Sequence, residues 1–212
     1  MKKNKGVLIG PSECDEGRKQ RKKEIDEIWS MLTSNEGFKE AYPLFSPALD
    51  LFMEALSCYQ NGAYMATVLM CRSATEVIVY TVASIDVIKK SLEEGVEVKV
   101  STELCSAQYS KLLKKAKEKL PVIKKLDENK NEENKSIIEE VREKGNFVAH
   151  YGQRLDKQFL EKMKKTQSKE AKKQIEKEVE TWITKEDALE VLKKTVCILN
   201  ETTNEVMKLY LV

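Results

Sequence analysis

Apolar side chains recur every three or four residues along most of the chain, a spacing typical of amphipathic α-helices. The first stripe predicts a helix over residues 21–33. The second predicts a helix that begins at Ser46-Pro47 and ends at Asn61-Gly62, because serine caps helix N-termini and proline fits the first turn. Residues 1–20 lack this period and are predicted to form a mobile basic tail. The two buried faces are predicted to comprise Ile25, Ile28, Trp29, Leu32, Leu49, Phe52, Leu56 and Tyr59.

The most apolar segment, residues 63–88, carries hydrophobic side chains around most of its circumference, which predicts the central helix of a bundle. Within it, Arg72 and Glu76 stand four residues apart and can pair on one helical face. This spacing fits both a pair that lines a functional cleft and an ion pair within a helix interface, and the second interpretation is favoured.

The second half of the chain is more charged. Its segments are predicted to be a loop at residues 96–100 (with a short strand as the alternative), a helix at 101–120, a charged loop at 127–135 and a helix at 135–150. The lysine-rich residues 156–183 form a charged helical excursion, and a solvated face is favoured over a nucleic-acid surface. Thr184 and Asp187 have capping-box spacing and open the last helix. Residues 21–212 are therefore predicted to be one all-α domain, a four- to five-helix antiparallel bundle.

Composition narrows the classes of function. The 212 residues include 37 Lys plus Arg against 35 Asp plus Glu, and a net charge of +2 argues against a dedicated duplex-DNA-binding protein. The five cysteines are odd in number and contain no CxxC pair, so neither a disulfide framework nor a zinc ribbon is expected. With a single histidine in the chain, no metal site and no cofactor are predicted.

The distribution of apolar residues also predicts where the protein is found in the cell. The N-terminal residues lack the apolar region of a signal peptide, and no run of about 18 apolar residues predicts a membrane span. We therefore expect a soluble, cytoplasmic protein with no membrane partner.

Three polar residues on one predicted helix form a candidate functional site. On the helix predicted at residues 135–150, Arg142, Asn146 and His150 follow at steps of four and form a stripe beside the apolar arc. Gly145 lies inside that arc, where its missing side chain lets another helix approach. The histidine can exchange a proton near neutral pH, the arginine can grip a phosphate, and the asparagine can orient either partner. These three groups suffice for metal-independent RNA cleavage, in which the ribose 2′-hydroxyl attacks the adjacent phosphate. The alternative is a purely structural pair of Asn146 and His150 near a helix end.

The pattern Arg-x-x-Gly-Asn-x-x-Ala-His at residues 142–150, together with Arg72-Ser-Ala-Thr-Glu76, resembles the HEPN superfamily (higher eukaryotes and prokaryotes nucleotide-binding domain). It most resembles an uncharacterised branch found in bacterial defence and restriction-associated proteins. The resemblance covers roughly residues 45–150 and the last helix. It implies a helical bundle that is commonly a homodimer, in which arginine and histidine from two protomers share a ribonuclease site.

Carried over to this chain, the resemblance makes Arg142, Asn146 and His150 the catalytic residues, with Arg72 and Glu76 as candidate substrate-binding residues. Seven residues separate Arg142 from His150, where the family motif has four to six, and Glu143, which would repel phosphate, replaces the polar residue that usually follows the arginine. Two functions follow as hypotheses. One is a metal-independent endoribonuclease of a toxin–antitoxin or defence system. The other is a non-catalytic module that binds RNA or nucleotide, or dimerises, to recruit an antitoxin, defence or restriction partner.

Overall fold

The computed structural model describes residues 11–95, 108–131, 134–154 and 183–211, and within these ranges it is built from α-helices. The helices are α1 Pro11–Thr33, α2 Glu36–Gln60, α3 Tyr64–Ala83, α4 Ile85–Glu94, α5 Tyr109–Lys119, α6 Pro121–Glu128, α7 Ile137–Arg154 and α8 Lys185–Val206, the last continued by a π-helical turn, Met207–Leu211. The only β-pairing in the described ranges is an isolated bridge between Lys130 and Ser136. The predicted all-α class is confirmed. The predictions for residues 96–100 and 156–182 lie outside the described residues.

Helix α3 is the centre of the bundle, as its apolar circumference predicts. It packs against α2, α5, α7 and α8, and Val68, Cys71, Ile78 and Val82 are completely buried. Burial also raises the pKa of the Cys71 thiol to about 12. Because α3 is enclosed on several sides, its side chains are apolar on most of its surface.

By length and composition alone, α3 is the one described helix that passes a test for a membrane span. Half of the tested window is buried inside the bundle, and core helices of soluble proteins pass the same test. Packing against four neighbouring helices accounts for the apolar composition.

Two helix starts differ from the prediction. Helix α1 begins at Pro11, so residues 11–20 are helical and do not belong to a tail. Helix α2 begins at Glu36, and Pro47 lies in its interior, so the predicted start at Ser46-Pro47 is wrong. Pro47 has no N–H to donate to the Pro43 carbonyl one turn earlier, and the Ser46 hydroxyl donates to that carbonyl at 3.4 Å. This local replacement allows the helix to continue through the proline.

One further boundary was predicted incorrectly, and another was confirmed. The apolar segment 63–88 is interrupted at Ser84, whose backbone N–H bonds the carbonyls of Tyr80 and Thr81 and ends α3 before α4 begins. The helix predicted at residues 101–120 does end before Pro121, which also occupies the first position of α6. Proline at the first turn forfeits no helical hydrogen bond, so the same residue ends one helix and starts the next.

The predicted core faces are mostly confirmed. Leu49, Phe52, Leu56 and Tyr59 are at most 4% exposed, whereas Trp29, which was predicted to be buried, is 38% exposed. The three cysteines whose side chains are described, Cys58, Cys71 and Cys197, are free thiols.

Candidate functional site

Helix α7 carries the predicted stripe, and its start is fixed by a reciprocal cap. The Ser136 hydroxyl accepts from the Glu139 backbone N–H, and the Glu139 carboxylate accepts from the Ser136 N–H, both at 3.1 Å. These two bonds satisfy donors that a helix start leaves unpaired. Ile138, Val141 and Val148 of α7 are buried, so its predicted apolar arc does face the core.

Gly145 brings α7 into close contact with α3. A Cβ atom built at Gly145 would lie 2.5 Å from both Cβ and Cδ of Arg72, closer than real Cβ contacts allow. The aliphatic part of Arg72 therefore crosses α7 directly over this glycine. The expectation that Gly145 admits a neighbouring helix is confirmed, and the contact brings the Arg72 region beside the stripe.

Charged side chains anchor the same part of α7 to α8. Lys144 Nζ lies 2.8 Å from Asp187 Oδ1 and 3.0 Å from Glu190 Oε2, and Lys194 of α8 reaches Glu140 at 2.9 Å. Burial opposes the charge on Lys144, but the bonds to Asp187 and Glu190 outweigh it and raise its pKa. Asp187 also completes the predicted capping box with Thr184 at the start of α8, which is confirmed. The lysine and this cap thus fix α7 relative to α8.

Arg142 occupies a different environment from the other cations nearby. Its guanidinium carbon lies 4.4 Å from the centre of the Tyr109 ring, at the start of α5, which is a cation–π contact. Its Nε is buried without a hydrogen-bond partner, and so is the Tyr109 hydroxyl. No carboxylate of the described residues pairs with Arg142. The aromatic ring therefore positions this charge without neutralising it.

The Tyr109 hydroxyl is held in its neutral form. Burial is the largest cause that raises its pKa, while the neighbouring Arg142 charge lowers it and the Glu76 and Asp127 charges raise it. These interactions place Tyr109 within reach of the Arg72–Glu76 pair as well as Arg142. Segments distant in sequence therefore converge on this ring.

Arg72 and Glu76 form the predicted ion pair, with Nε 2.9 Å from Oε1. Their side chains are only 24% and 33% exposed, so this bond competes less with water than a surface pair does. The structural interpretation of the pair is thus supported. Arg72 already has a carboxylate partner, whereas Arg142 has none among the described residues.

Asn146 and His150 complete the stripe at successive turns of α7. Asn146 is half-buried, its side chain makes no hydrogen bond with any described residue, and His150 is exposed. His150 lies about 12 Å from Arg142 along the helix axis, since eight residues rise by 1.5 Å each. The structure therefore puts the three residues on one face but does not bring Arg142 and His150 together within one protomer.

Two details of this face differ from the sequence expectations. Helix α7 continues to Arg154, so His150 is not at a helix terminus as the structural alternative assumed. Glu143 pairs with Lys135 at 2.7 Å, which offsets the charge that sets it apart from the family motif.

Tyr109 is the site residue that sequence reasoning missed. Its position in the apolar pattern of α5 predicted only a core contact. The contact with Arg142 joins two separate helices, and no local spacing signals it. In the described residues, no cluster of His, Cys, Asp and Glu has the geometry of a metal site.

Comparisons of the chain with models of protein families, with curated proteins and with solved structures gave no match.

Proposed function

We propose that this protein is a metal-independent endoribonuclease of HEPN type that acts as a homodimer. In it, Arg142 binds the scissile phosphate, His150 transfers the proton, and Asn146 orients the ribose or the imidazole. The motif at residues 142–150 is the basis of the family proposal. One observation supports the proposed chemistry. The Tyr109 ring positions the Arg142 guanidinium, and no carboxylate of the described residues pairs with it.

The environment of Arg142 supports a phosphate as its partner. A buried donor without a hydrogen bond costs about 1–3 kcal/mol, so native proteins seldom retain one without a reason. A guanidinium that lies on an aromatic ring is held in place while its remaining N–H groups can still approach an anion. Arg72 and Lys144, its cationic neighbours, are both committed to carboxylates. Arg142 is thus the cation of this interface best suited to an incoming phosphodiester.

The separation between Arg142 and His150 favours a site made by two copies. Both residues lie four positions from Asn146, in opposite directions along α7. If two α7 helices pack antiparallel about a two-fold axis through Asn146, each Arg142 lies opposite the partner's His150. Phe147, which is 44% exposed beside the stripe, provides apolar surface for this packing. The dimer would then have two equivalent sites.

At each site the reaction needs no metal ion. His150 removes the proton from the ribose 2′-hydroxyl, and the 2′-oxygen forms a bond to phosphorus as the bond to the 5′-oxygen breaks. Water protonates the leaving 5′-oxygen, so the products are a 2′,3′-cyclic phosphate and a 5′-hydroxyl end. Arg142 stabilises the charge that develops on the phosphate oxygens.

Cleavage of an RNA oligonucleotide by the purified protein in excess EDTA tests this proposal. We expect a cyclic phosphate product, and no cleavage of an oligonucleotide with 2′-deoxyribose at the cut site. His150→Ala should slow cleavage by about 10²–10⁴-fold, the usual contribution of a general acid or base. Arg142→Ala should slow it by about 10²–10³-fold, as the loss of a charge-stabilising donor does.

Lys39→Ala provides the matched control, because Lys39 is an exposed cation on α2 that pairs with no carboxylate in the described part of the chain. It should leave the rate unchanged. Equal cleavage by the wild type and by His150→Ala would rule out the proposed chemistry, because a contaminating nuclease does not depend on His150.

A second candidate function is a non-catalytic RNA-binding or dimerisation module. The distance between Arg142 and His150 within one protomer favours it, because a single copy does not assemble the cleavage site. In that case Arg142→Ala weakens RNA binding while no RNA is cleaved. For either function, we propose on the resemblance alone a cytoplasmic role in a bacterial toxin–antitoxin or defence system, with an antitoxin or defence protein as partner.

A further inference from the structure

Helices α5 and α6 carry a concentration of positive charge that the proposed chemistry does not use. Residues 109–128 contain seven lysines and three acidic residues, whereas the whole chain has a net charge of only +2. Two of the lysines are paired, Lys117 with Asp127 and Glu128, and Lys119 with Asp86. The other five are exposed and form no ion pair with the residues that the structure describes: Lys111, Lys114, Lys115, Lys124 and Lys125.

Two of these five lysines, Lys114 and Lys124, line a groove between α5 and α6. The groove has a volume of about 470 Å³ and is lined by Ser110, Leu113, Lys114, Lys117, Glu118 and Lys124. Three of its six lining residues are lysines, and Glu118 is its one acidic member. Surface lysines are usually solvated individually, but here Lys114 and Lys124 line one concave surface and have no carboxylate partner among the described residues, whereas Lys117 is paired with Asp127 and Glu128.

The groove and the Arg142 site share helix α5. Ser110, which lines the groove, directly follows Tyr109, whose ring contacts the Arg142 guanidinium. Helix α5 has 11 residues and is about 16 Å long, so a strand that runs along it can place more than one phosphate beside the helix. A strand that places a phosphate at Arg142 can therefore continue over the lysines.

We infer that the α5–α6 groove binds the sugar–phosphate backbone of the RNA that the Arg142 site receives. This inference rests on the proposed function, since it takes RNA as the ligand of Arg142. An anionic membrane fits the surface less well, because a helix bound to a membrane inserts an apolar face. The apolar residues Leu112 and Ala116 of α5 are already buried in the bundle.

Binding of a 2′-O-methyl RNA oligonucleotide tests the inference separately from cleavage, because this probe lacks the attacking hydroxyl. Fluorescence anisotropy with the full-length chain measures affinity over a range of salt concentrations. Lys114→Gln/Lys124→Gln should weaken binding about tenfold near physiological salt and reduce the salt slope by about 1.4, since each single-strand phosphate contact contributes about 0.7. Both side chains are exposed, so the fold should be retained.

The matched control is Lys39→Gln/Lys193→Gln, which removes the same charge from exposed, unpaired lysines on α2 and α8. It should change neither the affinity nor the slope. Equal effects of the two double variants would overturn the inference and leave only the general charge of the chain. Absence of RNA binding by the wild type would overturn it as well. So would a result in which Lys114→Gln/Lys124→Gln weakens binding to anionic vesicles but leaves RNA binding unchanged. If the wild type binds RNA through the groove but does not cleave it, only the nuclease proposal is overturned.

Discussion

At the scale of single residues, the contact between Tyr109 and Arg142 is the most informative in the molecule. An aromatic face attracts a guanidinium by about 0.5–2 kcal/mol and does not remove its charge. A carboxylate in the same place would fix the arginine more tightly but would compete with any phosphate. The ring therefore holds the cation and leaves it able to bind an anion.

Variants of Tyr109 can separate its ring from its hydroxyl. Tyr109→Phe keeps the ring and removes a buried hydroxyl that has no partner, so both cleavage and stability should stay close to the wild type. Tyr109→Leu removes the cation–π contact, and we expect kcat to fall about tenfold because Arg142 is no longer held over the site. Steady-state kinetics on the RNA substrate, with urea unfolding alongside, provide the measurement. A similar loss in both variants would contradict a positioning role for the ring.

Sequence reasoning is most successful where a residue acts through its own helix. The buried face of Leu49, Phe52 and Leu56 and the packing role of Gly145 follow from helical spacing alone. The environment of Arg142 does not, because the ring that holds it belongs to another helix and only the tertiary fold brings the two together. The exposure of Trp29 was also missed, since an apolar stripe can be wider than the surface that covers it.

At the scale of elements, the approach of α7 to α3 depends on the absence of one side chain. Gly145→Ala should lower the free energy of unfolding by about 1 kcal/mol, because overpacking against Arg72 costs about 1–3 kcal/mol and alanine regains about 1 kcal/mol of helix propensity. Gly17→Ala is the control, since its Cβ would meet only the flexible end of Arg21 at 3.4 Å. That variant should be stabilised by up to about 1 kcal/mol. Urea unfolding measures both, and a stabilised Gly145→Ala would contradict the close approach.

The link between α7 and α8 should depend on pH. Burial opposes ionisation of Asp187, but hydrogen bonds from Lys144 and Thr184 outweigh it and lower its pKa below the ordinary value of 3.8. A lowered carboxylate pKa stabilises the fold above the unfolded-state value, and this contribution is lost as the pH falls through the folded-state value. The raised pKa of Lys144 acts in the opposite sense, so its contribution is complete below its ordinary value of 10.5 and is lost at higher pH.

Asp187→Asn tests this link. Asp187 is 35% exposed, so after allowance for solvent screening we expect a loss of only about 1 kcal/mol near pH 7. The difference from the wild type should shrink as the pH is lowered past 3.8, where the native carboxylate also becomes protonated. Unfolding free energies measured from neutral to acidic pH provide the comparison, and a difference that stays constant would show that the charge of Asp187 plays no part.

Some helix boundaries are decided by contacts that the local sequence pattern does not show. Ser46-Pro47 predicted a helix start, yet Pro47 lies inside α2, whereas Pro121, which follows Leu120, does begin a helix. The Ser46 hydroxyl compensates the carbonyl that Pro47 leaves unpaired, which is a contact the spacing of residues does not reveal. The break at Ser84 likewise depends on how the chain turns beyond α3, because the apolar pattern itself runs through it.

At the scale of the whole molecule, the question is whether the site belongs to one chain or two. The all-α class was predictable because helical periodicity extends over most of the chain. The arrangement of helices around α3 was predictable only in part, since the apolar circumference identifies the centre but not its neighbours. The packing of one protomer against another was not predictable from the helical pattern. It can be tested, because the proposed dimer takes Arg142 and His150 of each site from different chains.

Mixing two inactive variants provides that test. In the proposed dimer, an Arg142→Ala chain paired with a His150→Ala chain keeps one intact site and loses the other. Equal mixing makes half of the dimers mixed, so the activity should recover to about one quarter of the wild type if the subunits exchange freely. Each variant alone should remain inactive. A mixture as inactive as its components would show that both residues act within one chain.

Because Cys71 is buried, the rate at which its thiol is modified reports how often the helical bundle opens. A thiol-specific reagent attacks the thiolate, and this sulfur is sealed in the central helix with its pKa raised to about 12. Modification of Cys71 therefore has to wait until α3 separates from its neighbours. Tracking that modification by mass spectrometry would show, for any substitution in the chain, whether lost activity comes from a disturbed surface or from a bundle that opens more often.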